Sequence, residues 1–119
     1  MTKKIRATYK ILETINLNQI ENYSITKNQW SWISQHKQLS ENFIDKFQDK
    51  VEWNNISWFQ KLSENFIDKF QDKVDWYCIS CKQDLSNKFV SKYRDRLRME
   101  EVNKRRNERI RRVIENALK

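Results

Sequence analysis

The apolar and polar positions of the chain repeat with a period of 23 residues. Residues 39–53 have the sequence LSENFIDKFQDKVEW and residues 62–76 have LSENFIDKFQDKVDW, so the two copies differ only at Glu52 and Asp75. The same register extends on both sides of these copies and defines three units: residues 30–52, 53–75 and 76–98. A fixed period of this length is typical of proteins in which one short supersecondary unit stacks on the next.

Each unit places its apolar side chains in the same columns. The columns are Trp30, Trp53 and Trp76; Ile33, Ile56 and Ile79; Leu39, Leu62 and Leu85; Phe43, Phe66 and Phe89; and Phe47, Phe70 and Tyr93. Their spacing of three and four residues predicts two amphipathic helices per unit. We predict a longer helix over residues 41–50, for which Ser40 is a natural N-cap, and a shorter helix over residues 53–60.

The two ends of the chain depart from this register. Residues 5–29 predict a degenerate capping unit, because they keep the isoleucine and leucine columns at a spacing of 22 residues. Beyond residue 98, Met99 takes the place of the repeated tryptophan, and residues 99–119 predict one continuous basic amphipathic helix. The helical repeat domain is therefore predicted to span residues 1–98.

Composition favours an all-α fold. The chain of 119 residues contains no glycine and no proline, and tight β-hairpins usually depend on glycine. One unit buries too little apolar surface to offset the entropy of ordering its residues, so the copies must pack on one another. We predict a short α-solenoid of three to four two-helix repeats, followed by the long C-terminal helix. Without glycine the chain also lacks phosphate-binding loops, dinucleotide fingerprints and nucleophile elbows.

Charge points to anionic partners. The formal net charge is +8, and residues 94–119 hold ten Lys and Arg against five Asp and Glu. Such an excess suits nucleic acid or an acidic protein surface. No apolar run is long enough to cross a membrane and no signal peptide opens the chain. We therefore expect an intracellular protein without a membrane partner.

A C-x-x-C motif joins Cys78 and Cys81. A zinc site needs four ligands, and the chain has a single histidine, His36. The two cysteines occupy columns that hold Asn55 and Trp58 in the preceding unit, which indicates variable positions. We predict no metal and no cofactor, although a metal shared between two chains stays open.

The repeated helix also carries acidic residues, which raises the question of acid–base chemistry. Paired carboxylates are the usual groups for such chemistry, but lysines beside these residues indicate a solvated helix face. We therefore predict no enzymatic activity and no small-molecule substrate. The acidic residues are Glu41, Asp45 and Asp49 in the first copy and Glu64, Asp68 and Asp72 in the second.

Four aromatic residues stand at variable columns of the repeat. If they are exposed on one side of the stack, they would form an aromatic strip for binding a protein. If they fill the grooves between units, they belong to the packing, and the sequence weighs the two interpretations evenly. The four residues are Trp32, Trp58, Phe59 and Tyr77.

The C-terminal helix combines an apolar face with a set of basic residues. Its apolar side chains favour docking on a protein partner or on a second copy. Its basic residues allow contact with nucleic-acid phosphates, which glutamates on the same helix weaken. In a third interpretation the helix caps the repeats and its arginines are solvated. The predicted partner-binding residues are Met99, Val102, Ile110, Val113 and Ile114, and the basic residues are Lys104, Arg105, Arg106, Arg109, Arg111 and Arg112.

The columns of residues 30–98 resemble a known type of repeat. The pattern W-x-x-I-S-x-x-x-x-L-S-x-x-F-I-x-x-F-x-D-K-V-x-W looks like the short tandem repeats of proteins from giant DNA viruses, and it is similar to leucine-rich-repeat-variant units. The resemblance implies a right-handed stack in which short and longer helices alternate. It also implies a virus-encoded protein, located in the virion or in the host cytoplasm. Many such repeats carry Asn-Pro before the longer helix, and this chain does not.

The sequence thus predicts a non-enzymatic binding protein. We expect a small viral structural or adaptor component that docks into a larger protein assembly through its C-terminal helix and the variable face of its repeats. The alternative is an accessory nucleic-acid-binding protein that uses the arginines of that helix.

Overall fold

The computed structural model describes residues 3–119, and its fold is all-α, as predicted from the sequence. The described residues group into two compact units, one up to Glu52 and one from Trp53 onward. The first unit contains β1 (Ile5–Arg6), α1 (Tyr9–Thr14), a 3-10 helix (Leu17–Asn22), β2 (Tyr23–Ser24), α2 (Lys27–His36) and α3 (Glu41–Lys46). The second contains α4 (Trp53–Phe59), α5 (Glu64–Lys69), α6 (Trp76–Lys82), α7 (Asn87–Lys92) and α8 (Met99–Ala117).

The second helix of each repeat is shorter than the sequence predicted. The helix expected over residues 41–50 ends at Lys46, because Phe47 leaves the helical conformation with φ −106° and ψ 29°. A turn follows, in which the amides of Lys50 and Val51 donate to the Phe47 carbonyl at 2.9 and 3.0 Å. The turn keeps the apolar columns on one side of the backbone, and for this reason their spacing looked like a longer helix.

The N-terminal segment contains a feature that the sequence did not predict. Strands β1 and β2 pair in parallel, with Ile5 opposite Tyr23. The side chain of Gln29 fastens α2 to this segment, since its Nε2 donates to the Ala7 carbonyl at 2.8 Å. Thr26 and Gln29 also form a capping box at the start of α2, which satisfies free amides of the first turn.

In the unit from Trp53 onward, the first helices of successive repeats lie side by side. Helix α6 packs against α4 on one side and against α8 on the other. The isoleucine column forms the centre of this packing, since Ile56, Ile67 and Ile79 are fully buried. This arrangement is the repeat-like stacking of an α-solenoid.

Three aromatic rings join the two helices within each repeat. In the second repeat the ring centroids of Trp53 and Phe70 are 5.2 Å apart, and those of Phe66 and Phe70 are 4.7 Å apart. The same cluster recurs as Trp30, Phe43 and Phe47 in the first repeat and as Trp76, Phe89 and Tyr93 in the third.

The serine column forms a buried hydrogen-bonded ladder. The hydroxyl of Ser57 donates to the Trp53 carbonyl at 2.7 Å and accepts from the Asp75 amide at 2.9 Å. It therefore connects α4 to the residue that precedes the next tryptophan helix. Ser34 and Ser80 make the same pair of bonds, and all three serines are fully buried.

A buried glutamine closes the end of α4. The Nε2 of Gln83 donates to the carbonyls of Ser57 and Gln60 at 3.0 and 2.8 Å, and its Oε1 accepts from the Leu62 amide at 3.1 Å. The last carbonyls of a helix have no partner within it, so this side chain supplies the bonds from the following repeat.

Candidate docking surface on the C-terminal helix

The first part of α8 belongs to the repeat core. Val102 occupies the isoleucine column and is 3 % exposed, and Met99 is half-buried. Both residues were predicted to bind a partner. The burial of Val102 against its own chain removes that residue from an accessible surface.

Three of the predicted basic residues contact the protein itself. Arg105 places Nε and Nη2 each 2.9 Å from Oδ1 of Asp84. Arg106 occupies the glutamine column, and its Nη2 donates to the Leu85 carbonyl at 3.1 Å. Arg109 approaches the same Asp84 oxygen less closely, at 3.7 Å. These contacts hold the middle of α8 on the third repeat and leave fewer arginines for a phosphate backbone.

The last part of α8 is exposed on all sides. Every residue from Asn107 to Lys119 is exposed. We call the apolar side chains of this part the distal stripe: Ile110, Val113, Ile114 and Leu118, which are 58, 69, 54 and 82 % exposed. Contiguous exposed apolar side chains on one helix face are the usual mark of an interaction site.

A groove runs beside the distal stripe. Its volume is about 420 Å³, and three residues of the stripe (Ile110, Val113 and Ile114) form its apolar floor. The remaining lining residues are Asn87 at the start of α7 and Arg106 and Arg109 on α8. The groove therefore has an apolar floor, two guanidinium groups on its rim and no carboxylate among its lining residues.

A second face of α8 is polar. The residues of this face line a shallow depression that offers no apolar floor to another helix. Asn103 lies here, and it replaces the buried serine of the earlier repeats. The lining residues are Glu100, Asn103, Lys104, Asn107, Glu108 and Arg111.

The four aromatic residues at variable columns have different surroundings. Trp32 is half-buried, and its ring lies 4.8 Å from that of His36. Trp58 is half-buried beneath the Lys82 ammonium, which lies 4.8 Å from the ring. Phe59 and Tyr77 are about half exposed. Trp58 and Phe59 line one groove of about 330 Å³, which combines the two interpretations left open by the sequence.

The two cysteines have reduced side chains with little tendency to ionise. Burial, the largest cause, raises the pKa of Cys78 to about 11. Burial is also the main reason that the pKa of Cys81 is raised, and its thiol donates to Oε2 of Glu101 at 3.7 Å. Reactive cysteines have a lowered pKa. Within residues 3–119, no group of three or more His, Cys, Asp or Glu side chains is placed to hold a metal ion.

The acidic residues of α5 connect consecutive repeats, which sequence reasoning missed. Glu64 accepts from the Ser86 amide at 2.7 Å and from its hydroxyl at 2.8 Å. Asp68 accepts from Nζ of Lys92 at 2.8 Å and from the hydroxyl of Tyr93. Their partners lie 22 to 25 residues further along the chain, so the repeat period itself was the signal that could have found them.

Comparison of the chain with protein-family models, with curated proteins and with solved structures found no match. Its likeness to viral tandem repeats therefore stays a prediction from the repeat columns. Among the described residues, no helix has both the length and the apolar character needed to cross a membrane.

Proposed function

We propose that the chain is a non-enzymatic helical-repeat protein that docks into a larger protein assembly through the distal stripe of α8. The observation that carries this proposal is the exposure of Ile110, Val113, Ile114 and Leu118 on one face of a helix whose first turns are firmly packed. An amphipathic helix of this kind binds by laying its apolar face against a partner.

The repeats hold α8 in place. Val102, the Arg105–Asp84 ion pair and the Arg106 hydrogen bond all fix the first half of the helix, so the second half is presented in a defined direction from that unit. A rigid, preorganised element loses less conformational entropy on binding than a flexible tail. The resemblance of the repeats to viral arrays supports a structural or adaptor component of a virion, or a protein of the host cytoplasm.

Nucleic-acid binding is the second candidate. The exposure of Arg111 and Arg112 favours it, because solvent-accessible arginines contact phosphates readily. Against it, Glu108 and Glu115 lie at helical spacing on either side of these arginines. Phosphate binding also leaves the apolar stripe without a role.

The two candidates are separated by affinity capture with matched variants of the full chain. Ile110→Asp places a charge in the distal stripe, and Ile5→Asp is its control, since both isoleucines are 58 % exposed. Capture is performed from the native source with and without nuclease, at low and high salt. We expect protein partners that survive nuclease, are lost with Ile110→Asp and are retained with Ile5→Asp.

Other outcomes contradict the docking proposal. Partners that disappear with nuclease, weaken steeply with salt and depend on Arg111 and Arg112 would establish the nucleic-acid candidate instead. Equal capture by wild type and Ile110→Asp would show that the distal stripe has no part in binding.

A further inference from the structure

We propose that the groove beside the distal stripe binds an acidic amphipathic helix of a partner protein. The inference rests on the proposed function and specifies the chemistry of the partner. The stripe extends from Ile110 to Leu118, which is about 12 Å along the helix axis at 1.5 Å per residue. This length matches about two turns of a second helix, whose apolar residues at i, i+3, i+4 and i+7 would face Ile110, Val113 and Ile114.

The charges around the stripe have one sign. Successive residues of an α-helix are about 100° apart around its axis, so Arg109 and Arg111 flank Ile110 on either side. Glu108 and Glu115 fall about 140–160° from Ile110, on the opposite side of the helix. Carboxylates that border the apolar residues of a partner helix would therefore meet guanidinium groups along both edges of the stripe.

The arginines on the rim have capacity for such a contact. Asp84 lies within 2.9 Å of two nitrogens of Arg105, whereas Arg109 lies 3.7 Å from it and its side chain is 54 % exposed. Arg106 uses one Nη2 contact to the Leu85 carbonyl, and a guanidinium has five N–H donors. A partner carboxylate would form charge-assisted hydrogen bonds here, which are the stronger class.

A second copy of the chain fits this groove less well. Each copy carries a formal net charge of +8 and brings the same arginines to the contact, so like charges would face one another across it. The four apolar side chains of the stripe also form a small surface, well below the roughly 800 Å² per partner of a standard interface.

The test is a selection of displayed peptides on the full chain. Each peptide has fourteen residues with apolar side chains fixed at helical spacing, and its other positions vary among Glu, Lys, Gln and Ala. Selections are run on wild type, on Arg109→Glu and on Arg94→Glu. Arg94→Glu is the control because Arg94 is an exposed arginine that does not line the groove. Arg109→Gln serves as a second variant that introduces no charge beside Asp84.

We expect peptides selected on wild type to be rich in Glu beside their apolar positions. Their affinity should fall at least tenfold with Arg109→Glu and should fall with Arg109→Gln. It should stay within about twofold for Arg94→Glu and should disappear with Ile110→Asp. Selection on Arg109→Glu should shift the flanking positions toward Lys, since the rim then carries the opposite charge. Circular dichroism confirms that each variant keeps the wild-type helix content.

Four results would overturn the inference. The first is a selected pool without Glu enrichment, or one whose binding is indifferent to both Arg109 variants. The second is sedimentation of wild type as a dimer that Ile110→Asp converts to a monomer. The third is binding to vesicles of phosphatidylserine and phosphatidylcholine that requires Ile110, and the fourth is binding to a 20-nucleotide RNA that requires it. If capture in cell extract still depends on Ile110 while the selection shows no acidic preference, the docking function stands and only the acidic partner is excluded.

Discussion

A single buried hydroxyl connects successive tryptophan helices in the repeat. Ser57 is fully buried and both donates and accepts a hydrogen bond, at 2.7 Å to the Trp53 carbonyl and 2.9 Å from the Asp75 amide. The sequence suggested only that a small side chain lets a neighbouring helix approach. The structure adds a polar role, because no other residue type of this size offers a hydroxyl in that position.

Ser57→Ala should therefore destabilise the protein by about 1–3 kcal/mol, the usual cost of leaving a buried polar group without its partner. The Asp75 amide loses its acceptor, and the alanine methyl group cannot replace it. The measurement is urea unfolding followed by circular dichroism. Ser91→Ala is the matched control, since Ser91 is exposed on α7 and should change stability by less than about 0.5 kcal/mol. Equal unfolding of the two variants would contradict the role assigned to the serine column.

At the scale of elements, the sequence predicts where helices begin better than where they end. Helices α4, α6 and α8 begin at Trp53, Trp76 and Met99, at the predicted interval of 23 residues. The end of α3 at Lys46 was missed, because a turn and a helix can keep the same apolar column facing the core. The short strands were also missed, since two residues are too few to show the alternation of a strand.

The candidate surface was predicted in part for a similar reason. Apolar spacing identified Ile110, Val113 and Ile114 on α8, and all three are exposed. The same spacing included Val102, which is buried, because periodicity gives the face of a helix and not the point at which its neighbours end. Only the packing of α8 against α6 separates the buried half from the exposed half.

The contact between α5 and α7 should respond to acid. Hydrogen bonds from Lys92 and then from Tyr93 hold the pKa of Asp68 below its ordinary value of 3.8. Because the folded pKa is the lower one, the stabilisation is fully present above pH 3.8 and is lost as pH falls through the folded pKa. Asp68→Asn removes the charge at every pH.

The difference in melting temperature between wild type and Asp68→Asn should therefore be largest near neutral pH and should shrink below pH 3.8. The measurement is thermal unfolding from pH 7 to pH 2, with Asp95→Asn as the control for an exposed carboxylate. A difference that stays constant across this range would show that the Asp68 charge contributes nothing to the contact.

At the scale of the molecule, the repeat has polar connectors that its last copy no longer carries. Helix α5 offers Glu64 and Asp68 to the following repeat. At the same positions α7 has Asn87 and Ser91, and α8 has Asn103 in the serine column. The third repeat therefore receives a neighbour on one side only, and α8 takes the place of a further unit. This change at the end is typical of repeat proteins, in which terminal units carry a polar outer face.

The same logic predicts that the array tolerates a longer middle but not a shifted register. A further copy of residues 53–75 inserted after Asp75 keeps every serine, glutamate and tryptophan at its interval of 23 residues. Stability in a stacked array is approximately the sum of unit and interface contributions, so the longer chain should unfold at an equal or higher urea concentration. Its helix signal should grow with the added residues. A control insert that lacks Lys73 has 22 residues and turns each later column by about 100° relative to its neighbour. That chain should unfold at a lower concentration, whereas identical behaviour of the two inserts would mean that the columns do not determine the packing.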